Sequence, residues 1–163
     1  MSGAEYDDRQ AIHEVVLRYC RGIDRLDMDL VRSTYHPDGI DHHTGFDGGI
    51  DDFLTWVEPG LRRLGGTMHL LANHLVDLDG DQAVAETYGQ AVHWSEHRQG
   101  NFTTGFRYVD HLTRRDGRWA VSERWAVREW THSETPGSLG TAVGPVGRRD
   151  RDDPLYLALA RLR

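Results

Sequence analysis

The first part of the chain places apolar residues at the spacing of an α-helix. They lie three or four positions apart and form one stripe, which consists of Ile12, Val15, Val16, Tyr19 and Ile23. This periodicity predicts a helix over Ile12–Asp24, with Asp7 or Asp8 as its N-cap. The carboxylate of Asp24 stands where the stripe ends. A helix lying across a concave sheet would bring that carboxylate to the mouth of the concavity.

Shorter elements follow before the pattern changes. Asp27 is a suitable N-cap for a second helix over Met28–Tyr35. Gly39–His43 is predicted to form a short strand, and Thr44–Gly49 is rich in turn-forming residues. Apolar residues at helical spacing then predict a third helix over Ile50–Leu64.

From Gly65 onward, apolar and polar residues alternate with the period of two that is typical of β-strands. Turns containing glycine separate four long runs, which are Thr67–Leu78, Gln82–Glu96, Phe102–Arg114 and Arg118–Trp130. Such turns predict an antiparallel meander, and glycines inside the runs predict strong curvature. Helices followed by a meander indicate an α+β fold.

The 163 residues suit a single domain with a core over about residues 7–130. Residues 131–147 are rich in Gly, Pro, Ser and Thr and are predicted to form an extended loop. Leu155–Leu162 is predicted to be a short C-terminal helix with a proline in its first turn. This tail could fold over the mouth of the sheet or onto a neighbouring subunit.

Composition and charge argue against several classes of partner. Hydrophobic residues make up 38% and charged residues 28% of the chain, a globular profile. The formal net charge of -7 argues against nucleic acids and anionic membranes. No apolar run approaches the roughly 20 residues that span a bilayer, and the acidic N-terminus lacks an apolar signal core. The single cysteine, Cys20, excludes an intrachain disulfide, and we expect a cytoplasmic protein.

Three segments carry a distinctive combination of residues: Tyr19–Asp24, Thr67–His74, and Asp116–Trp119 with Arg124. In this order and at these intervals they resemble the SnoaL-like branch of the nuclear transport factor two-like superfamily. The resemblance implies a cone, in which N-terminal helices close the concave face of a curved antiparallel sheet over a deep, largely apolar pocket. Pockets of this kind suit small hydrophobic ligands.

The resemblance also implies candidate site residues. In the dehydratases and a dehydrochlorinase of this superfamily, an aspartate at the end of the first long helix orients a histidine from the first meander strand. Asp24 and His69 match this pair. Tyr19 and Arg128 match a pocket tyrosine and a pocket arginine of bile-acid dehydratase. His93 and His97 lie close to the place of a second catalytic histidine in scytalone dehydratase, and neither aligns with it cleanly.

An aspartate–histidine pair in an apolar pocket is suited to general acid–base chemistry. The carboxylate fixes the imidazole tautomer and stabilises the imidazolium as it forms. Such a pair could remove a proton α to a carbonyl and pass it to a leaving hydroxyl. Tyr19 could stabilise the enolate charge, and Arg128 could do the same or anchor an anionic group.

We therefore expect a lyase or isomerase similar to a dehydratase, acting without cofactor or metal on a small hydrophobic carbonyl, steroid-like or polyketide-like substrate. Asp24, His69 and Tyr19 are the expected catalytic residues. The expected substrate contacts are Arg128, His93, Trp56 and Phe106. The sequence does not separate core from pocket lining among the aromatic residues Phe53, Trp56, Trp94, Phe106 and Trp130.

Each assignment has a structural alternative. Asp24 could end its helix or pair with Arg21 or Arg25, and His69 could be a sheet histidine that its neighbours satisfy. Tyr19 lies on the apolar stripe and could simply pack in the core.

The remaining polar candidates have alternatives of the same kind. Arg128 could pair with Glu123 or Glu129 at the surface. The adjacent His42 and His43 suggest a metal site, but neighbouring residues on a strand point to opposite faces, which disfavours joint chelation.

Two other functions remain open. The same fold could serve as a non-catalytic ligand-binding or dimerisation domain. Ala91 favours this alternative, because the matching position of bile-acid dehydratase is occupied by a pocket aspartate. It could also be the structural small subunit of a ring-hydroxylating dioxygenase with a large partner protein. The alternating Trp and Val residues on the outer face of the meander predict a homodimer or homotrimer.

Overall fold

Three helices precede the long strands, as the hydrophobic pattern predicts. α1 spans Gly3–Arg25, α2 spans Met28–Ser33 with Asp27 as its N-cap, and α3 spans Ile50–Arg62. The structure is a computed structural model, and it describes residues 2–95, 101–134, 148–153 and 160. Within these ranges, no helix combines the length and the apolar character needed to cross a membrane.

The start of α1 corrects the predicted cap. Ser2 is the N-cap: its hydroxyl accepts a hydrogen bond from the backbone N–H of Glu5 at 3.2 Å, and the Glu5 carboxylate accepts one from the backbone N–H of Ser2 at 2.7 Å. This capping box satisfies two backbone donors that a helix start leaves unpaired. Asp8 instead accepts hydrogen bonds from Arg114 and Trp119, so it ties the helix to the sheet.

Six strands form one curved sheet in the order β2-β1-β6-β5-β4-β3. Their bounds are Tyr35–His43 (β1), Phe46–Gly49 (β2), Gly66–Asp79 (β3), Gln82–Trp94 (β4), Phe102–Arg115 (β5) and Arg118–Ser133 (β6). The predicted antiparallel meander is confirmed as β3 to β6. Strand β1 joins it by parallel pairing with β6, which completes an α+β fold with its helices on the concave face.

Several boundaries differ from the prediction. Helix α2 ends at Ser33 rather than at Tyr35, and strand β1 begins at Tyr35 rather than at Gly39, because Tyr35 pairs with Val121 of β6. The turn-rich stretch contains a strand, β2, because Phe46–Gly49 pairs antiparallel with Ile40–His43. Strand β6 continues beyond Trp130 to Ser133, because the end of β6 pairs with the start of β5 at Phe102. The predicted loop is therefore shorter than expected at its start. Residues 135–147 lie outside the described residues, and so does the predicted C-terminal helix apart from residue 160.

The described part of the tail lies against the same chain. Arg149 donates to the backbone carbonyl of Leu61 at 2.8 Å, at the end of α3. Asp153 lies 3.6 Å from Arg25, at the end of α1. Residues 148–153 therefore contact the helix ends rather than projecting away from them.

A buried ion pair joins the centre of the sheet to the helix above it. Arg124 on β6 donates to both carboxylate oxygens of Asp110 on β5, each at 2.6 Å, and both side chains are 0% exposed. The guanidinium lies 4.1 Å from the ring centroid of Tyr19 and 4.2 Å from that of Tyr108. Cation–π contacts and paired hydrogen bonds together compensate the buried charge.

Candidate site: an aspartate–histidine pair in an apolar cavity

A cavity of about 240 Å³ lies between the helices and the concave face of the sheet. Most of its wall is apolar and includes Ile23, Phe53, Val57, Leu61, Ala91 and Ala126. On β4 the small side chain of Ala91 lines the cavity, whereas Ala83 and Ala85 on the same face are buried in the core. The cavity therefore has the concave, mainly apolar character of a small-molecule site.

His69 lines this cavity, and Asp24 binds it from the end of α1. Asp24 lies in the last turn of α1, and its Oδ1 accepts hydrogen bonds from His69 Nδ1 at 2.6 Å and from Thr67 Oγ1 at 3.0 Å. Its Oδ2 accepts from the backbone N–H of His69 at 2.9 Å. The side chains of His69 and Asp24 are 7% and 13% exposed. Arg25, one alternative partner of Asp24, pairs with Asp153 instead.

The hydrogen bond to Asp24 decides which nitrogen of His69 can act. With its proton held on Nδ1 by the carboxylate, the neutral imidazole carries its lone pair on Nε2. His69 lines the cavity, and Nε2 has no hydrogen-bond partner among the described residues. Asp24 can stabilise the imidazolium that proton uptake at Nε2 would create.

His93 lies beside His69 in the same wall. The two ring centroids are 6.4 Å apart, and the ring of His93 stacks on Phe102 at 4.3 Å. Burial, with the neighbouring His69 as a smaller cause, lowers the pKa of His93 to about 4. His93 is therefore neutral at pH 7 and contributes a polar but uncharged group to the cavity.

Tyr19 is part of the core and of the cavity wall at once. Its ring packs edge-on against Tyr108 at 5.6 Å and over the guanidinium of Arg124, yet it also lines the cavity. Burial raises the pKa of Tyr19 well above its usual value of 10. The phenol therefore keeps its proton at neutral pH and is a potential hydrogen-bond donor.

Arg128 lines the cavity and is exposed to solvent. The two carboxylates that could have paired with it are engaged elsewhere: Glu129 with Arg107 at 2.5 Å and Glu123 with His42 at 2.9 Å. Within the described ranges, Arg128 forms no ion pair. A free cation at the edge of an apolar cavity suits an anionic group on a ligand.

The predicted aromatic residues divide between the two faces of the sheet. Phe106 and Trp56 line the cavity, with Phe106 edge-on to His69 at 5.7 Å and Trp56 still 44% exposed. Trp130 and Trp94 do not line the cavity. Trp130 lies over Gly105 on the outer face, where a Cβ would overlap its indole.

The sequence analysis missed four polar side chains of this cavity, which are His43, Thr44, Thr104 and Tyr108. His43 lines the wall and its Nδ1 bonds to the carboxylate of Asp41, whereas His42 lies on the other face, bonded to Glu123 and Asp47. The two-residue period of a strand places His42 and His43 on opposite faces, and it also places residues 41 and 43 on the same face. This pattern in the sequence could have indicated the pairing of Asp41 with His43. No group of three or more potential metal ligands occurs in the ranges that the structure describes.

Comparison with known proteins identifies the family. The family model of the SnoaL-like domain matches residues 4–125. The chain belongs to the SnoaL-like domain family. An uncharacterised protein of Mycobacterium tuberculosis is 28% identical over 129 residues, which cover 76% of this chain and 87% of that protein.

Solved structures show the same fold at low identity. A candidate scytalone dehydratase of Novosphingobium aromaticivorans superposes with a TM-score of 0.74 at 17% identity, covering 86% of this chain and 100% of that one. A hexachlorocyclohexane dehydrochlorinase of Novosphingobium barchaimii gives 0.72 at 16% identity, covering 86% and 97%. The cone fold of this SnoaL-like chain is thus shared with these proteins.

Proposed function

We propose that this SnoaL-like protein is a cofactor-independent lyase or isomerase in which Asp24 and His69 act as a general acid–base pair. The observation that supports this most directly is the 2.6 Å hydrogen bond from His69 Nδ1 to Asp24 inside an apolar cavity. A pure ligand-binding module has no need to direct the second imidazole nitrogen into its pocket. This geometry therefore favours the enzyme over the binding module.

In the proposed reaction, His69 Nε2 takes a proton from the carbon α to a carbonyl of the substrate. Asp24 stabilises the imidazolium, and the electron pair of the broken C–H bond forms the enolate. Tyr19, a neutral phenol, donates a hydrogen bond to the substrate carbonyl as negative charge develops. Elimination of a β-hydroxyl gives a dehydration, and return of the proton to another carbon gives an isomerisation.

The proposed substrate is a small hydrophobic carbonyl compound. Phe106 and Trp56 offer aromatic surface, His93 an uncharged polar contact, and Arg128 an anchor for an anionic substituent. A volume of about 240 Å³ lies below the roughly 300–1,000 Å³ of pockets for drug-sized ligands. This small volume favours a polyketide-like substrate of one or two rings over a steroid-like substrate.

The test is a variant pair assayed on 4-hydroxy-4-phenylbutan-2-one, a β-hydroxy ketone whose conjugated dehydration product is followed by its ultraviolet absorbance. His69→Ala should lower kcat by about 10²- to 10⁴-fold, because the base is lost. Asp24→Asn should lower it substantially, since the amide cannot stabilise an imidazolium. Full turnover in both variants would show the dyad mechanism to be wrong.

We further propose that the protein is a homodimer or homotrimer assembled through the outer face of the sheet. Large apolar side chains are exposed there on three strands: Met68, Leu70, Leu75, Val84, Tyr88, Trp125 and Trp130. Monomeric proteins seldom expose contiguous apolar surface of that extent. A second copy of the same face would cover it by a symmetric contact.

A further inference from the structure

A second carboxylate–histidine pair borders the same cavity. His43 Nδ1 bonds to Oδ1 of Asp41, two residues earlier on the same face of β1. Asp41 is 0% exposed, and its Oδ2 accepts a hydrogen bond from the hydroxyl of Tyr35 at 2.5 Å. The ring of His43 stacks on Phe53 of α3 at 4.8 Å and forms part of the cavity wall.

This pair repeats the arrangement of Asp24 and His69 on a different element. In both pairs, a carboxylate accepts a hydrogen bond from Nδ1 of the histidine. A hydroxyl group donates to the same carboxylate: Tyr35 donates to Asp41, and Thr67 donates to Asp24. In both, Nε2 has no hydrogen-bond partner within the described residues. The outward-facing neighbour His42 has both of its nitrogens next to carboxylates, as a structural histidine does.

The other titratable groups of the cavity are less suited than His43 and His69 to exchange protons near neutral pH. His93 is neutral because burial lowers its pKa to about 4, and burial raises the pKa of Tyr19 and Tyr108 well above 10. None of these three groups changes charge over the range in which histidines usually titrate.

We propose that His43, held by Asp41, is the general acid of this site and acts opposite His69 as base. The assignment deepens the function proposed above and rests on it. In the dehydration, His69 Nε2 takes the α-proton and the C–H pair becomes the new double bond. The C–O bond of the β-hydroxyl breaks, and that oxygen takes the Nε2 proton of the His43 imidazolium and leaves as water. Return of one proton from His69 to His43 through solvent restores the starting state.

The experiment compares two probes that differ only in their leaving group. The first is 4-hydroxy-4-phenylbutan-2-one, whose hydroxyl needs a proton in order to leave. The second is its acetate ester, whose acetate leaves without one, and both give the same absorbing enone. His43→Gln should lower kcat on the hydroxy probe by about 10²- to 10⁴-fold and on the acetate by less than about threefold. His69→Gln should lower both.

The wild-type protein supplies a second readout that does not depend on a variant folding. With the hydroxy probe, kcat should fall at high pH, because His43 must carry its proton. With the acetate probe this alkaline limb should be absent, while the acidic limb due to His69 stays in both profiles. His42→Gln is the matched control, since it changes the adjacent histidine outside the cavity, and it should behave as the wild type on both probes.

The outcomes separate the two proposals. Unchanged turnover of the hydroxy probe in His43→Gln, equal losses on both probes, or identical pH profiles would overturn the role of His43 and leave that of His69 standing. Failure of the wild type to convert either probe would overturn the proposed function and the role of His43 with it. Selective loss on the hydroxy probe supports both.

Discussion

Thr67 shows how a single hydroxyl can orient the proposed base. Its Oγ1 donates to the same oxygen of Asp24 that accepts from His69, and the side chain is almost fully buried. Since the two donors converge on Oδ1, the carboxylate cannot rotate without losing both hydrogen bonds. In the proposed mechanism, Thr67 is therefore a positioning residue that acts through Asp24.

Removing this hydroxyl should impair turnover more than it impairs folding. Thr67→Val keeps the shape of the side chain, and we expect about a tenfold lower kcat, in line with one lost hydrogen bond to a charged group. Thr67→Ser keeps the hydroxyl and should restore turnover to within about twofold of the wild type. Equal losses in both variants would indicate that packing at this position, rather than the hydrogen bond, matters.

Two partly buried histidines should make the stability of the protein depend on pH. Burial lowers the pKa of His74 and of His93 to about 4, whereas an unfolded chain binds these protons near pH 6.5. Between those values the unfolded state binds more protons. The free energy of unfolding should therefore fall as the pH is lowered from about 6.5 to 4.

His74→Gln isolates one of these contributions. Its Nδ1 hydrogen bonds to Thr87 at 2.8 Å, and glutamine can replace this contact without titrating. Urea unfolding at pH 7 and pH 4.5 should show a smaller loss of stability in the variant than in the wild type, by about 1–2 kcal/mol after allowing for partial solvent exposure. The exposed His132 provides the control, since His132→Gln should keep the wild-type slope.

At the scale of elements, the Arg124–Asp110 pair joins three parts of the fold. It links β6 to β5, and the rings of Tyr19 and Tyr108 hold the guanidinium from α1 and from the sheet. The floor of the cavity therefore depends on a charge that is fully buried. A buried pair of this kind adds little net stability, but breaking it is costly because one charge is left alone.

Asp110→Asn should therefore destabilise the fold strongly. The amide preserves the shape but not the charge, and we expect a loss of about 3–5 kcal/mol in urea unfolding. The control is Glu129→Gln, which breaks the exposed pair with Arg107 on the same two strands and should change stability little. Equal effects of the two substitutions would contradict the special role of the buried pair.

At the scale of the whole molecule, one face of the sheet borders the cavity, and the other exposes large apolar side chains around the Arg107–Glu86 and Arg107–Glu129 ion pairs. Leu70, Gln90, Gly105 and Trp130 form a row across β3, β4, β5 and β6, and Trp130 lies flat over Gly105 because that residue has no side chain. A second chain could pack its own outer face against the exposed apolar side chains beside this row. This is the physical basis for the proposed oligomer.

The proposed assembly should be visible in solution. Sedimentation should give two or three times the chain mass of 18.6 kDa. Leu70→Glu combined with Tyr88→Glu places charges in the contact face and should produce monomers, whereas Gln90→Glu, which replaces a residue that is already polar, should disturb the assembly less. A wild-type mass of 18.6 kDa would contradict the proposal.

Much of the fold follows from local patterns in the sequence. The 3.6-residue period fixes α1 and α3 because each must bury one stripe, and the period of two with glycine turns fixes the meander. The cap of α1 was wrong because two acidic residues were given more weight than the Ser2–Glu5 capping box. Strand β2 was missed because Phe46–Gly49 is too short and glycine-rich to show alternation, and only its pairing with β1 makes it a strand.

The sequence by itself predicted that Asp24 and His69 form a pair. The prediction came from their spacing and from the family resemblance, because Asp24 ends the first helix and His69 lies on the first meander strand. Only the tertiary structure decided that Thr67 shares the carboxylate, that Arg128 forms no ion pair with any residue that the structure describes, and that His43 lines the cavity. These facts depend on which neighbours compete for each polar atom, and chain spacing does not encode that competition. Asp41 became a partner of His43 because the fold buries both on one face of β1, beside Tyr35.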